Sequence, residues 1–136
     1  MIWMMDTDIL IYLVNRKPGF ESIARRMSGR SPGEVRLSAI SLAELRFGVE
    51  HGQFRADNQK ALASLLQFLQ VDAFPVDAAV DFGEIKSTLL SKGKPLGAYD
   101  LLIAAHARQI GATVVTNNER EFRRVPGLEV ENWTKA

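Results

Sequence analysis

Short apolar runs alternate with amphipathic segments along the whole chain, and this alternation most constrains the fold. The runs MIWMM at 1–5, VRLSA at 35–39 and ATVVTNN at 112–118 have the composition of short strands. Apolar residues recur at helical spacing between them, and the chain contains no internal repeat and no low-complexity tract. Strands that alternate with helices predict an α/β fold, in which a parallel sheet carries helices on both faces.

Apolar periodicity and glycine or proline stops place the helices between these strands. Predicted helices span residues 7–15, 77–90 and 98–110, and a short helix spans 119–122. A further helix is predicted in GFESIARRMSG, where it closes on Gly29, and two more begin at Ser41 and Asp57. In the helix over 77–90, Val80, Ile85 and Leu89 are expected to share the buried face. Further strands are predicted in VDAFPV at 71–76 and LEVENW at 128–133.

Length, charge and composition narrow the classes of function. A chain of 136 residues predicts one domain over residues 1–136 that buries a substantial core. The formal net charge of +1 means that any nucleic-acid binding must come from local patches. The absence of cysteine excludes thiolate zinc sites, disulfides and a cysteine nucleophile. Asp6 ends the first apolar run far short of a signal peptide or membrane span, so a cytoplasmic protein is expected.

Four acids stand where predicted strands end or predicted helices begin. Asp6 ends the first strand, Glu44 lies in the first turn of the helix from Ser41, Asp100 opens the helix over 98–110, and Glu121 lies in the helix over 119–122. Such positions converge at the ligand-binding edge of a parallel sheet. Carboxylates gathered there repel one another unless a cation joins them, and hard oxygen ligands suit Mg²⁺ or Mn²⁺.

Each acid also has a purely structural interpretation. The Asp6-Thr7-Asp8 stretch has residues that favour the N-cap of a helix. Ser41 and Glu44 fit an S-x-x-E capping box, in which the glutamate reaches back to the backbone of the cap residue. Asp100 can complement a helix dipole, although the apolar LLIAAHA that follows predicts burial, and a buried acid needs a partner. Glu121, taken alone, has the character of a solvated surface charge.

Four sequence blocks in order resemble a PIN domain, and most closely the VapC toxins of bacterial VapBC toxin–antitoxin modules. The blocks are MMDTDIL, SAISLAELRFGVE, PLGAYDLLIAAHAR and TVVTNNEREFRRVPGLEVENW, and together they extend from about Ile2 to Trp133. The resemblance implies a three-layer α/β/α sandwich with a central parallel, twisted sheet. It also implies a metal-dependent ribonuclease.

The resemblance assigns roles to particular residues. The acidic cluster of PIN domains maps onto Asp6, Glu44, Asp100 and Glu121, as catalytic residues and as ligands of Mg²⁺, with Mn²⁺ as a substitute. The fourth position is open between Glu121 and Glu119, and Glu121 is preferred because it immediately precedes Phe122, as in the family ending N-x-x-[DE]-F. Supporting residues that orient the ligands are expected at Asp8, Thr116 and Asn118.

The resemblance also implies partners. The chain is expected to form a homodimer, to bind a VapB-type antitoxin and to cut structured RNA, with tRNA as the expected substrate. A basic side chain of the antitoxin is expected against the carboxylates, and the apolar segments DILIYLV and FESIARRM are candidates for the contact. Candidate contacts to RNA phosphates are Lys92, Lys94, Arg120, Arg123 and Arg124, and Tyr99 is a candidate for stacking on a base.

Three alternatives remain open from the sequence. Asp6-Thr7-Asp8 after a strand also resembles haloacid-dehalogenase-type phosphatases, in which the first acid is the nucleophile, but Ile9-Leu10 departs from that pattern. A metal-free ribonuclease would use His51 and His106, although His106 lies about 240° around its helix from Asp100. A catalytically decayed binding module is the third alternative, and the presence of all four acids argues against it.

Overall fold

The structure, a computed structural model, describes residues 1–135. Within that range five strands and seven helices alternate along the chain. The strands are β1 (Trp3–Met5), β2 (Val35–Ser38), β3 (Gln70–Asp72), β4 (Thr113–Val115) and β5 (Val130–Glu131). The helices are α1 (Thr7–Asn15), α2 (Phe20–Ser28), α3 (Ala39–His51), α4 (Arg55–Leu66), α5 (Ala78–Ser91), α6 (Ala98–Ile110) and α7 (Glu119–Phe122).

All pairings in the sheet are parallel, and the strand order is β3-β2-β1-β4-β5. The chain first builds outward from β1 to β3 and then returns to place β4 and β5 on the other side of β1. The strand order therefore reverses between β1 and β4, which is the point where open α/β sheets form a ligand-binding crevice at the carboxyl ends of their strands. The predicted α/β fold with a parallel sheet is confirmed.

Side chains that alternate along the strands feed two separate cores, one on each face of the sheet. Met4 belongs to the core formed with α5, α6 and α7, whereas its neighbour Met5 belongs to the core formed with α1 to α4. Both methionines are completely buried. Burying one such side chain contributes about 1.5–3 kcal/mol, so the two cores hold helices firmly against opposite faces. The result is the three-layer α/β/α arrangement.

Helix α6 forms the centre of one of these layers. It begins at Ala98 and ends at Ile110, as predicted, and most of its residues from Leu101 to Ala107 are buried. Gly111 follows with a φ of 71°, a left-handed conformation that glycine adopts without a steric penalty. The chain turns there directly into β4, so the first turn of α6 lies at the carboxyl-end edge of the sheet.

Helix α3 begins earlier than predicted. It starts at Ala39, and its N-cap is Ser38, whose hydroxyl accepts a hydrogen bond from the Ile40 amide at 3.1 Å. Glu44 is consequently in the second turn rather than the first, and the predicted capping box of Ser41 and Glu44 does not form, because Glu44 accepts its hydrogen bond from another helix. The true cap is the last residue of β2, so the strand runs into the helix without a loop.

Smaller differences concern exposure and strand length. Val80 was predicted on the buried face of α5, but it is 67% exposed, while Ile85 and Leu89 are buried as predicted. Strands β3 and β5 are shorter than the runs VDAFPV and LEVENW. Both lie at the sheet edges, where a strand has a partner on one side only.

Candidate functional site

Asp6 lies at the crevice where the strand order reverses. It follows Met5, the last residue of β1, and Thr116 follows Val115, the last residue of β4, which pairs with Met5. This register places the two residues side by side, and the Thr116 hydroxyl donates a hydrogen bond to Asp6 Oδ2 at 2.8 Å. Although Asp6 stands at the N-cap of α1, its side chain forms no N-cap hydrogen bond to the amides that follow Thr7 within residues 1–135.

The Asp6 carboxyl is difficult to ionise where it lies. Only 3% of the residue is exposed. Burial raises the pKa of Asp6 from its usual value of 3.8 to about 7, and the charges of Asp100 and Asp8 add to the rise, while the Thr116 hydrogen bond opposes it. A buried acid whose charge is disfavoured becomes fully ionised when a cation compensates the charge.

Asp100 lies in the first turn of α6, as predicted, and faces the other acids. Its pKa is raised to about 6, first by burial and then by the charges of Glu44, Glu121 and Asp8. The charges of Glu44, Glu121 and Asp8 therefore act on Asp100, and the charge of Asp100 acts on Asp6. The structure thus brings the four acids and Asp8 to one edge of the sheet.

Glu44 is held by a residue that sequence reasoning missed. The Thr7 hydroxyl, at the start of α1, donates a hydrogen bond to Glu44 Oε1 at 2.6 Å. From the sequence alone, Thr7 is only a candidate helix cap, because threonine is favoured at the start of a helix. The hydrogen bond joins residues 37 positions apart, so only the packing of α1 beside α3 reveals it.

Asn118 and Thr116 connect Glu121 to Asp6. The Asn118 side-chain amide donates to Glu121 Oε2 at 2.7 Å, and the Asn118 backbone amide donates to the Thr116 hydroxyl at 2.8 Å. That hydroxyl donates in turn to Asp6, so a continuous hydrogen-bonded chain orients two acids. Thr116 and Asn118 were both predicted as supporting residues, and the structure places them beside the acids in this way.

Glu119 has different neighbours from Glu121. Its carboxylate accepts a hydrogen bond from Asn132 at 2.8 Å and lies 3.7 Å from the Arg123 guanidinium. Its charge is therefore compensated outside the acidic crevice, while the Glu121 charge contributes to the raised pKa of Asp100. This arrangement favours Glu121 over Glu119 as the fourth acid.

The chemistry of the donors fits a hard divalent cation. Within residues 1–135 no three acidic or histidine side chains converge closely enough to hold one ion together. Mg²⁺ does not require such a cage, because it retains several waters and binds through one or two carboxylates and the substrate's phosphate. Asp6 and Asp100, whose pKa values are raised by burial and by neighbouring carboxylates, fit this requirement. Glu44 and Glu121 add negative charge beside Asp100.

The two histidines differ in exposure and do not form an accessible pair. His106 is completely buried, and His51 is exposed at the end of α3, where its ring stacks on Phe47 at 5.3 Å between ring centroids. A buried imidazole is inaccessible to RNA. The pair therefore offers no general acid and base at a shared surface, which argues against the metal-free histidine mechanism.

Comparison with known proteins agrees with this geometry. The PIN domain family matches the chain over residues 4–128. Ribonuclease VapC2 of Rickettsia felis is 38% identical over 99% of this chain and 100% of its own length, and the tRNA(fMet)-specific endonuclease VapC of Shigella flexneri is 36% identical over 97% of this chain and 98% of its own length.

The chain also has the fold of one chain in a solved complex. The crystal structure of DNA-bound VapBC from Salmonella typhimurium contains a chain with 36% sequence identity and a TM-score of 0.90, with 98% of each chain covered. The position of its strands and helices thus agrees with that found here over nearly the whole length. The family match, the full-length relatives and the shared fold together show that the chain belongs to the PIN domain family, among its VapC ribonucleases.

Proposed function

We propose that this chain is the toxin of a VapBC toxin–antitoxin module, a divalent-metal-dependent endoribonuclease that hydrolyses phosphodiester bonds of structured RNA and thereby inhibits translation. The observation that carries the proposal is the pair Asp6 and Asp100, two acids with raised pKa values in the crevice of a parallel sheet. Initiator tRNA is the proposed substrate, because relatives in Shigella flexneri and Salmonella typhimurium are named tRNA(fMet)-specific endonucleases.

The acids have distinct proposed roles. Asp6 and Asp100 hold the divalent ion, Mg²⁺ or in its place Mn²⁺, and Glu44 and Glu121 complete the catalytic set. When bound, such an ion lowers the pKa of water and neutralises the charge that develops on the phosphate. Thr116 and Asn118 keep Asp6 and Glu121 oriented, Thr7 does so for Glu44, and Asp8 adds negative charge at the mouth of the crevice.

The alternatives receive less support. The relatives are named ribonucleases and endonucleases over the full length of this chain, which favours neither a haloacid-dehalogenase-type phosphatase nor a decayed binding module. In such a phosphatase the second acid, here Asp8, would act as the general acid beside the nucleophile Asp6, but Asp8 is exposed whereas Asp6 is buried.

Product analysis with purified protein tests the proposal. Incubation with initiator tRNA and Mg²⁺ is expected to give fragments with a 5′-phosphate and a 3′-hydroxyl, and EDTA is expected to abolish cleavage. Fragments that end in a 2′,3′-cyclic phosphate and form equally well in EDTA would show that a metal-free mechanism operates. A noncognate RNA of similar size, such as 5S rRNA, is the control for substrate choice.

A toxin of this kind has a protein partner, and the surface offers a place for it. Solved VapBC complexes resemble this chain, and we infer a homodimer that binds a VapB-type antitoxin. An apolar cavity of about 180 Å³ opens between α1, α3 and α4 beside Glu44, and its lining includes Ile11, Leu45, Val49 and Leu62. An antitoxin segment with one apolar side chain in this cavity can place a basic side chain against the acids.

Among residues 1–135, none of the helices combines the length and apolar character that a bilayer-spanning segment requires. We infer a cytoplasmic location from the proposed substrate, because tRNA and the translation apparatus lie there.

The structure separates the candidate RNA contacts into two groups. Arg123 donates to the Val130 carbonyl and pairs with Glu119, and Arg124 donates to the Pro95 carbonyl at 3.5 Å, so both are engaged within the protein. Lys92, Lys94 and Arg120 are exposed and form no ion pair within the described part of the chain. Tyr99, next to Asp100, is 58% exposed and can stack on a base.

Salt dependence of RNA binding distinguishes these two groups. In an Asp6→Asn background, which prevents cleavage, alanine at Lys92, Lys94 and Arg120 together is expected to reduce the slope of log affinity against log salt by roughly two to three. The Arg123→Ala, Arg124→Ala double variant is the matched control and is expected to keep nearly the wild-type slope. Equal losses in both variants would show that the engaged arginines also bind phosphates.

Loss of the Thr7 hydroxyl is expected to weaken metal use without removing any acid. Thr7→Val keeps the shape of the side chain, yet leaves Glu44 without its 2.6 Å hydrogen bond. We expect the Mg²⁺ concentration for half-maximal cleavage to rise on the order of tenfold, the scale for residues that orient ligands. Thr7→Ser, which keeps the hydroxyl, is expected to behave nearly as wild type. If Thr7→Val does so too, Thr7 does not position Glu44.

A further inference from the structure

His106 is a completely buried imidazole that the proposed chemistry does not use. It lies in α6, six residues after Asp100, and its Nδ1 is 2.8 Å from the Ser38 hydroxyl oxygen. Phe74, in the segment after β3, packs edge-on against the ring at 5.6 Å between centroids. The ring therefore joins α6 to the carboxyl-end edge of the sheet.

Ser38 lies at the junction of a strand and a helix. It is the last residue of β2 and the N-cap of α3, and its hydroxyl accepts the Ile40 amide at 3.1 Å. The same oxygen meets His106. One buried hydroxyl thus connects the end of a strand, the start of the helix that carries Glu44 and the helix that carries Asp100.

The surroundings keep the imidazole neutral. Burial lowers the pKa of His106, although the charge of Asp72 opposes this effect. A neutral ring has one donor and one acceptor nitrogen, so it forms a hydrogen bond with the hydroxyl in either tautomer. His106 Nε2 is buried and has no hydrogen-bond partner among residues 1–135, so the Ser38 contact is the ring's polar attachment within that range.

We propose that Ser38 and His106 form a positioning pair that sets the placement of α3 relative to α6, and through it the placement of Glu44 relative to Asp100. The two acids depend on this placement, since Glu44 is the first of the charges that act on Asp100. Each acid lies six residues from its member of the pair, so a shift of either helix moves its carboxylate. The consequence of losing the pair is weaker binding of the divalent ion, and this rests on the proposed function of the acidic crevice.

Helix α3 offers a matched control for this pair. Ser41 is, like Ser38, completely buried, but its hydroxyl has no hydrogen-bond partner within residues 1–135. Ser41→Ala therefore removes a buried hydroxyl from the same helix without removing a contact to α6. If buried hydroxyls of α3 mattered only for packing, alanine at either serine would have the same effect on metal binding.

Calorimetric titration with Mn²⁺ tests the proposal on the full chain. Ser38→Ala and His106→Leu are each expected to weaken Mn²⁺ binding on the order of tenfold. The double variant is expected to bind no more weakly than Ser38→Ala, because both changes break the contact between Ser38 and His106. His106→Asn, whose side-chain amide can replace Nδ1, is expected to stay within about threefold of wild type. Ser41→Ala is expected to bind Mn²⁺ as wild type does.

The outcomes separate this proposal from the proposed function. A wild-type protein that binds Mn²⁺ and cleaves RNA, with folded Ser38→Ala and His106→Leu variants that bind Mn²⁺ equally well, overturns the positioning role alone. A wild-type protein that binds no divalent ion overturns the proposed function, and the positioning role with it. Should His106→Leu not fold, Ser38→Ala is compared with Ser41→Ala and with Ser38→Gly. Glycine is tolerated at an N-cap, so weakening by both Ser38 variants and not by Ser41→Ala is then expected from loss of the His106 contact. Equal weakening by His106→Asn and His106→Leu would show that ring volume acts instead of the hydrogen bond.

Discussion

Asp6→Asn is expected to lower RNA cleavage at least a hundredfold and, at the same time, to raise the melting temperature of the metal-free protein at pH 8. The activity falls because the buried carboxylate is a proposed ligand of the divalent ion, and loss of one electrostatic stabiliser costs about that factor. The stability rises because the ionised carboxylate is disfavoured where it is buried. The increase of its pKa from 3.8 to about 7 lowers the free energy of unfolding at pH 8 by roughly 4 kcal/mol.

Asparagine suits this comparison because it keeps the local contact. Its side-chain oxygen can still accept the hydrogen bond from Thr116, so the change removes the charge and little else. The stability gain is expected to be smaller than the full electrostatic cost, since the amide must also be desolvated. Thermal unfolding in EDTA and initial cleavage rates in Mg²⁺ measure the two effects separately.

Asp57→Asn is the control for the asparagine substitution. Asp57 is an exposed acid in the first turn of α4, outside the acidic crevice, and its replacement is expected to change neither cleavage nor the melting temperature appreciably. An Asp6→Asn variant that is less stable than wild type in EDTA would show that the ionised carboxylate contributes favourably to the fold, contrary to its raised pKa.

The stabilisation by Mg²⁺ is expected to grow strongly between pH 5 and pH 8. In the metal-free fold the pKa of Asp6 is about 7 and that of Asp100 about 6, whereas both acids ionise near 3.8 in the unfolded chain. The folded protein therefore holds protons that the unfolded chain releases, and its stability falls as the pH rises from about 4 to about 7. Above pH 7 both carboxylates are charged and ready to bind a cation.

Mass action sets the size of this effect. At 100 times its dissociation constant, a ligand stabilises the fold by about 2.7 kcal/mol, which corresponds to a rise of roughly 5–10 °C in melting temperature for a chain of this size. We expect that shift at pH 8 and a much smaller one at pH 5, where protons compete with the ion. Differential scanning calorimetry with and without Mg²⁺ at each pH gives the difference directly.

Comparing melting temperatures with and without Mg²⁺ at the same pH also cancels the contributions of other titrating groups. Burial lowers the pKa of His106, so protonation in the unfolded chain costs stability as the pH falls, with or without Mg²⁺. A sodium chloride solution of equal ionic strength controls for general screening. Equal shifts at pH 5 and pH 8, or an undiminished shift in Asp6→Asn, would mean that Mg²⁺ acts elsewhere on the protein.

The sequence predicts those parts of the fold that local signals determine. The bounds of α1, α6 and α7 agree with prediction, because apolar periodicity and residues such as Gly111 mark them locally. The predicted start of α3 at Ser41 was wrong, because the local S-x-x-E pattern there competes with the true cap at Ser38. That cap can be recognised only when the end of β2 is known.

The candidate site likewise has some features that the sequence predicts and others that only the folded structure shows. The four acids could be proposed from their positions at strand ends and helix starts, together with the order of the four sequence blocks. The contacts of Thr7 with Glu44 and of His106 with Ser38 join residues 37 and 68 positions apart, and no local pattern indicates them. The preference for Glu121 over Glu119 likewise depends on Asn132 and Arg123, which engage Glu119 after the chain has folded.

Anomalous diffraction from crystals of the full chain soaked in Mn²⁺ tests most directly whether these acids hold the ion that cleaves RNA. The expected result is a Mn²⁺ peak in the crevice within about 2.0–2.3 Å of carboxylate oxygens of both Asp6 and Asp100, lost in crystals of Asp6→Asn. A well-occupied Mn²⁺ site elsewhere on the protein, with none at these two carboxylates, would contradict the account.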